Sequence, residues 1–332
     1  MTPVATTPMA TMSSAKPLIL RPGDRVPPAL AGAVLAIGNF DGVHRGHQAV
    51  LAMAADLARR MGRKLAVMTF EPHPRAFFRP GEPFFRLTEA AEKAAILGHY
   101  GVDAVFVRPF DAALASTTAA DFLDRIVIGD CCAGAVVVGH DFHFGKGREG
   151  TPDFLRREGE ARGLTIAIVP ALRDDAAPVS SSAIRSALVA GDIAAANALL
   201  GHRWTVAGEI VHGDKRGRLL GYPTANMILD PACGLRHGIY AVRIAVAGGV
   251  HQGVASFGRR PTFDDGAPRL ETFLFDYSGD LYGQMARVEL VAFLRGEAKF
   301  ATVEDLIAQM DRDSAAAKAA LATDRVPSLL PL

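Results

Sequence analysis

The sequence predicts an α/β half built on a doubly wound parallel sheet, followed by a small antiparallel β-barrel and a closing helix. From about residue 33 to 200, short β-branched runs alternate with Ala- and Leu-rich amphipathic stretches, the pattern of parallel strands covered by helices. After LLGHRW, near residue 202, strand-like runs alternate with glycine-rich turns instead. A chain of 332 residues also exceeds one ordinary core and suits two domains of about 150 residues.

Taken in order, MTPVATTPMATMSSAKP is rich in Thr, Ser, Pro and Ala, has no continuous apolar run, and reads as a disordered tail over 1–17. The first domain then spans 18–200. Its strands are AVLAIG, KLAVMTF, DAVFV, GAVVVG and LTIAIVP, with helices beginning near Gly46, Thr88, Thr118 and Thr151; Pro152 suits the first helical position of the last. A ligand of such a sheet belongs beyond the C-terminal strand ends. The second domain spans 201–325, with strands in RWTVAGEIVHG, GIYAVRIAVAG, LETFLFDY and ARVELVAFL. It ends in TVEDLIAQMDRDSAAAKAAL, a helix with Thr302 as N-cap and Asp305 three positions on.

Composition narrows the partners. A formal net charge of +1 gives no global field to gather nucleic acid, and no segment approaches the roughly 18 consecutive apolar residues of a membrane span. Cys131, Cys132 and Cys233 make neither a disulfide framework nor a metal pattern, which points to a reducing cytoplasm. Oligomerisation is open.

The strand AVLAIG runs into NFDGVHRGH and then a helix, so a glycine turn delivers Gly46 and His47 to a helix N-terminus, where N–H groups and the dipole favour anions. His44 and His47 bracket Arg45 and Gly46, and imidazole N–H donors beside a phosphate can stabilise charge during attack at phosphorus. HxxH alone is more often a metal pair or two surface histidines; the strand, turn and helix around it reverse that preference. Further on, VSSSAIRSALVAGD places serine hydroxyls at a helix start and Arg185 one turn inside, a phosphate-holding arrangement or simply a capped helix.

GNFDGVHRGH, TFEPHP, DFHFGKGREG and SSSAIRSAL together resemble the adenylyltransferase half of bacterial bifunctional riboflavin kinase/FMN adenylyltransferases, a nucleotidyltransferase-type Rossmann-like fold. The resemblance implies that Gly38, Asn39, Phe40, His44, Gly46, His47, Ser181 and Arg185 line an ATP site, with His44, His47 and Arg185 catalytic. It places FMN beside them, at His73, Asp141 and Phe144. His73 could be a base, but flanking Pro72 and Pro74 favour a rigid loop shaping the flavin pocket.

In the second domain, HGDKRGRLLGYPTAN brings Gly213, Gly217 and Gly221 together with Lys215, a loop able to cradle phosphate though no Walker A order is present. Thr224 and Asn226 add hard oxygen donors of the sort Mg²⁺ accepts beside nucleotide phosphates. An ordinary hairpin is the plain reading of GDKRGR; PTAN, LETFLFD and LRGEAKF turn it toward the riboflavin kinase half of the same family. That resemblance implies that Glu271 accepts the ribityl 5′-hydroxyl proton while Thr224 and Asn226 position Mg-ATP. The expected activity is FAD synthesis through FMN, with ATP as co-substrate. The alternatives are a flavin-binding regulatory protein without turnover, and an adenylyltransferase for another nucleotide-like acceptor.

Overall fold

The computed structural model describes residues 16–174, 177–213, 221–259 and 267–330. Most of the expected tail, and Lys215 and Gly217, lie outside the described residues. Contacts divide the chain into two compact units, one of described residues up to Glu82 and Glu89–Val179, the other of Pro83–Thr88 and the residues from Ser180 onward.

The first unit carries a six-stranded sheet: β1 (Leu18–Leu20), β2 (Ala33–Ile37), β3 (Leu65–Glu71), β4 (Ala104–Pro109), β5 (Ala133–Gly139) and β6 (Thr165–Val169). Its order is β1-β4-β3-β2-β5-β6 and every pairing is parallel. All five residues of β2 are buried, which is why it reads as an unbroken apolar run and not as an alternation. From β2 the chain winds through β3 and β4 on one side and resumes at β5 on the other, so the order reverses beside β2. Reversal opens a crevice at the C-terminal strand ends, where Gly38–Phe40 leave β2 and Asp141 follows β5. A short antiparallel ribbon of β7 (Arg173–Asp174) and β8 (Ala177–Pro178) follows β6.

Helix α1 (Arg45–Met61) buries Val50, Leu51, Ala54, Leu57 and Ala58, a single stripe at 3–4 residue spacing, and stops at Gly62, whose φ of 62° lets its N–H close onto the Ala58 carbonyl. Then come α2 (Pro74–Phe78), α3 (Ala90–His99), α4 (Ala112–Ser116), α5 (Ala119–Asp121) and α6 (Pro152–Ala161). Thr151 caps α6 as expected, Thr118 caps α5, α3 begins two residues after Thr88 with Glu89 as its N-cap, and α5 passes into a π-helical stretch, Phe122–Asp130. β1 escaped the sequence reading because three residues show no period.

In the second unit, α7 (Ser181–Ala190) and α8 (Ile193–Leu200) precede β9 (Thr205–Val211), β10 (Thr224–Ile228), β11 (Gly238–Val246), β12 (Gly249–Arg259), β13 (Pro268–Leu274), β14 (Met285–Arg295) and α9 (Val303–Thr323). The strands close a barrel in the order β10-β13-β12-β11-β14-β9. The unit begins two helices before the change of pattern near residue 202, because Ile184, Leu188, Ile193 and Leu200 pack into the barrel core with Trp204, Tyr240, Phe257 and Leu270. Ala317 and Leu321 of α9 seat on Ala241 and Phe275. Thr302 caps α9 by accepting from the Asp305 N–H at 3.1 Å. Among the described residues no helix is long and apolar enough to cross a membrane.

Candidate active sites

The loop after β2 is built around left-handed backbone: Phe40, Gly42 and Val43 have φ of 51°, 85° and 42°. For a bulky or β-branched residue that conformation costs of order 1–3 kcal/mol, and such local cost collects at functional sites. The turn buries the Phe40 ring and aims the chain into α1. His44 is the N-cap, its Nδ1 accepting the His47 N–H at 3.3 Å. An accepting Nδ1 leaves the ring proton of a neutral His44 on Nε2. The His44 and His47 rings stack at 3.7 Å, and Phe40 lies 5.1 Å from His47. A Cβ on Gly46 would come within 3.1 Å of the His44 ring, so a side chain there would push that imidazole by a few tenths of an ångström from its place over the helix start.

Burial, then His44, then Lys93 push the His47 pKa well below its ordinary value, so this imidazole is neutral at pH 7. Its Nδ1 is enclosed without a hydrogen-bond partner among the described residues. The first turn of α1 carries no acidic side chain, which leaves its positive dipole end for an external anion.

His73 uses Nδ1 to cap α2, accepting from Arg75 N–H at 3.1 Å, which fits a loop-shaping role. Phe77 and Phe78 cluster with Phe110, and Phe78 is 64% exposed. Asp141 is exposed after β5. Phe144 is buried against Phe122, Phe142 and Phe154, so its ring supports the loop from the core side. Within the second unit Ser180 caps α7, and Arg185 is held by its Nε–H to the Phe85 carbonyl at 2.6 Å and by the Phe84 ring at 4.5 Å. The sequence reading missed Lys93 and gave no role to Thr69 and Glu71 of the TFEPHP motif, although the three meet in space.

In the barrel, Asn226 of β10 pairs with Glu271 of β13, and Thr224 with Phe273. Leu270, Thr272 and Leu274 are the buried alternates of β13, so Glu271 and Phe273 project from the other face. Asn226 Nδ2 donates to the Thr224 carbonyl at 3.2 Å, while its buried Oδ1 has no hydrogen-bond partner among the described residues. An orphaned amide oxygen beside a threonine hydroxyl is a donor set for a hard cation. A Cβ on Gly213 would fall 2.6 Å from the Asn226 amide, so any larger residue there must displace that side chain. Gly221 has φ of 84°, and the Tyr222 hydroxyl donates to the Asp311 carboxylate on α9.

Comparison with known proteins matches residues 26–183 to FAD synthetase and 200–321 to riboflavin kinase. A bifunctional riboflavin kinase/FMN adenylyltransferase of Pseudomonas fluorescens is 42% identical over 88% of this chain and 94% of its own. The Bacillus subtilis protein so named is 38% identical over 85% and 90%. A crystal structure described as a macrolide-efflux protein from Streptococcus pneumoniae superposes with a TM-score of 0.81 at 32% identity, covering 89% of this chain and 97% of that one.

Proposed function

The chain belongs to the bifunctional riboflavin kinase/FMN adenylyltransferase family, and from that premise we propose which residues run its two ATP-dependent steps. Its C-terminal half phosphorylates riboflavin to FMN, and its N-terminal half transfers adenylate from ATP to FMN, giving FAD and pyrophosphate. We take the two activities to divide between 18–200 and 201–325.

For the kinase, the observation that carries the assignment is the direct pairing of Asn226 with Glu271. Thr224 and Asn226 would hold Mg²⁺, which neutralises charge on the transferring phosphates when bound. Glu271 accepts the proton as the ribityl 5′-oxygen attacks the γ-phosphorus and the bond to ADP breaks. Gly213 and Gly221 shape the phosphate side; Lys215 and Gly217 complete this reading from the sequence alone.

For adenylyl transfer, an FMN phosphate oxygen attacks the α-phosphorus and pyrophosphate leaves. Neutral His47 donates its ring N–H to the α-phosphate oxygens, His44 fixes the helix start, and the Gly38–Phe40 turn and Gly46 leave room for the nucleotide. Ser181 and Arg185 are assigned to phosphate, Arg185 being oriented by the Phe84 ring and the Phe85 carbonyl. His73 and Asp141 border the flavin and Phe144 backs their loop. A cytoplasmic location belongs to the same reading, supported by three cysteines that remain thiols.

Incubating the protein with riboflavin, ATP and Mg²⁺ and separating the products tests the assignment. His47→Ala should slow FMN-to-FAD conversion at saturating ATP by about 10²–10³-fold, the effect of losing one oriented donor, with FMN formation intact. A normal FAD rate removes His47 from the reaction.

A further inference from the structure

Lys93 sits on α3, outside the motifs that mark either site, where a lysine ordinarily reads as a solvated charge. It is 3% exposed, and burying an ammonium is costly unless it is paired and hydrogen-bonded. Its Nζ meets the Glu71 carboxylate at 2.8 Å, donates to Thr69 Oγ1 at 3.0 Å and donates to the Asn39 carbonyl at 3.1 Å. Thr69 Oγ1 in turn donates to that same carbonyl at 3.0 Å.

These partners belong to the loop after β2 and to the C-terminal end of β3. Asn39 immediately precedes Phe40, whose left-handed backbone carries the ring that lies against His47. Glu71 ends β3 and leads through Pro72 to His73, on the flavin side. One ammonium therefore ties the turn beneath His47 to the base of the loop expected to border the acceptor. The titratable groups that face His47 are His44, from its own helix start, and Lys93, from α3.

We propose that Lys93 is a positioning residue for adenylyl transfer, holding the Asn39–Phe40 turn and the Glu71 end of β3 in the one register that presents His47 to the nucleotide beside the flavin. The proposal rests on the assignment of that reaction to the His44–His47 site. It adds a residue that touches neither substrate in this scheme and acts through the backbone of the turn. A misplacement of about 1 Å at reacting groups is enough to cost about 10²-fold in rate.

The test uses the full chain with Lys93→Met and, so that no carboxylate is left buried without its cation, the double variant Lys93→Met/Glu71→Gln. Three measurements are made: kcat and KM for FAD formation from FMN and ATP, the fold by circular dichroism, and the His47 ring titration by NMR, assigned with His47→Gln. The expected result for the folded double variant is a kcat lower by about 10²-fold with KM for ATP nearly held, and a His47 pKa moved up toward its ordinary value. Riboflavin phosphorylation should be unchanged. A folded double variant with the original kcat overturns the proposal. So does one whose loss of FAD rate is matched by an equal loss of riboflavin phosphorylation, because Lys93 would then be support for the fold alone. His47→Gln assayed alongside separates the two layers: if it keeps the full FAD rate, the His47 assignment is what has failed.

Discussion

Asn226 and Glu271 stand directly opposite one another across β10 and β13, so an amide oxygen without a hydrogen-bond partner among the described residues and a carboxylate project from the same face of the barrel. Residues so paired have Cβ atoms about 4.5–5.5 Å apart. Under the proposed assignment, that spacing sets the Mg²⁺ donor beside the proton acceptor on two paired strands. Slipping β10 by one residue would turn Asn226 to the opposite face and separate the two functions.

The first consequence concerns the proton. Glu271→Gln keeps size and polarity but cannot take the proton of the attacking hydroxyl, so FMN formation should fall by about 10²–10⁴-fold. FAD formation from supplied FMN should continue, since the adenylyl-transfer residues are untouched. Chromatographic assay of both reactions on one preparation checks this, and near-normal FMN production would free Glu271 from its role.

A methyl group tests the cation side. In Gly213→Ala the new Cβ would meet the Asn226 amide at 2.6 Å, far inside contact distance, and must turn or displace it. Asn226 Oδ1 then leaves its position beside Thr224. We expect the Mg²⁺ concentration at half-maximal kinase rate to rise and the maximal rate to fall, with FAD synthesis from FMN unaffected. An unchanged Mg²⁺ dependence would remove Asn226 from the metal site.

Much of this architecture is legible in the sequence. β2 and α1 declare themselves because an unbroken apolar run and a stripe at helical spacing are consequences of burial on two faces and on one. His44, Gly46 and His47 can be placed at a helix start for the same reason. The left-handed conformations of Phe40 and Val43 are not legible, because neither residue type favours φ above zero and only tertiary packing holds them there. Lys93 is invisible as well: its partners Asn39, Thr69 and Glu71 are remote in sequence, and a lysine on a helix gives no sign of burial. The Phe85 carbonyl that fixes Arg185 lies a hundred residues upstream, a separation no local motif spans.

The end of the chain offers a stability test. Glu289 is fully buried on β14, pairs with Arg203 at 3.2 Å, and accepts from Ser328 Oγ and from the Leu329 N–H at 2.9 Å each. Glu289→Leu would strand the Arg203 guanidinium with Asp324 as its remaining acidic partner and release the terminal segment. Breaking a buried pair from one side costs about 3–5 kcal/mol, and the surviving Asp324 contact places this change near 3 kcal/mol. Trp204, the single tryptophan of the sequence, is buried beside Arg203 and reports the second unit selectively by fluorescence during urea denaturation. A midpoint equal to that of the unsubstituted protein would contradict the assigned pairing.

The depressed pKa of His47 fixes the sign of a pH effect on the first unit. In the unfolded chain this imidazole titrates near 6.5, whereas in the folded unit burial, His44 and Lys93 keep it neutral to lower pH. As pH falls below about 6.5, the unfolded state binds a proton that the folded state refuses, so stability declines until the folded pKa is reached and then levels. His99, lowered by burial alone, adds a slope of the same sign. His47→Gln removes one of the two contributions, so the decline between pH 7 and 5 should become shallower without vanishing. Amide hydrogen exchange over β2 and α1, followed across that range in both proteins, measures it; parallel curves for the two would mean that His47 takes up its proton as readily in the folded unit as in the unfolded chain.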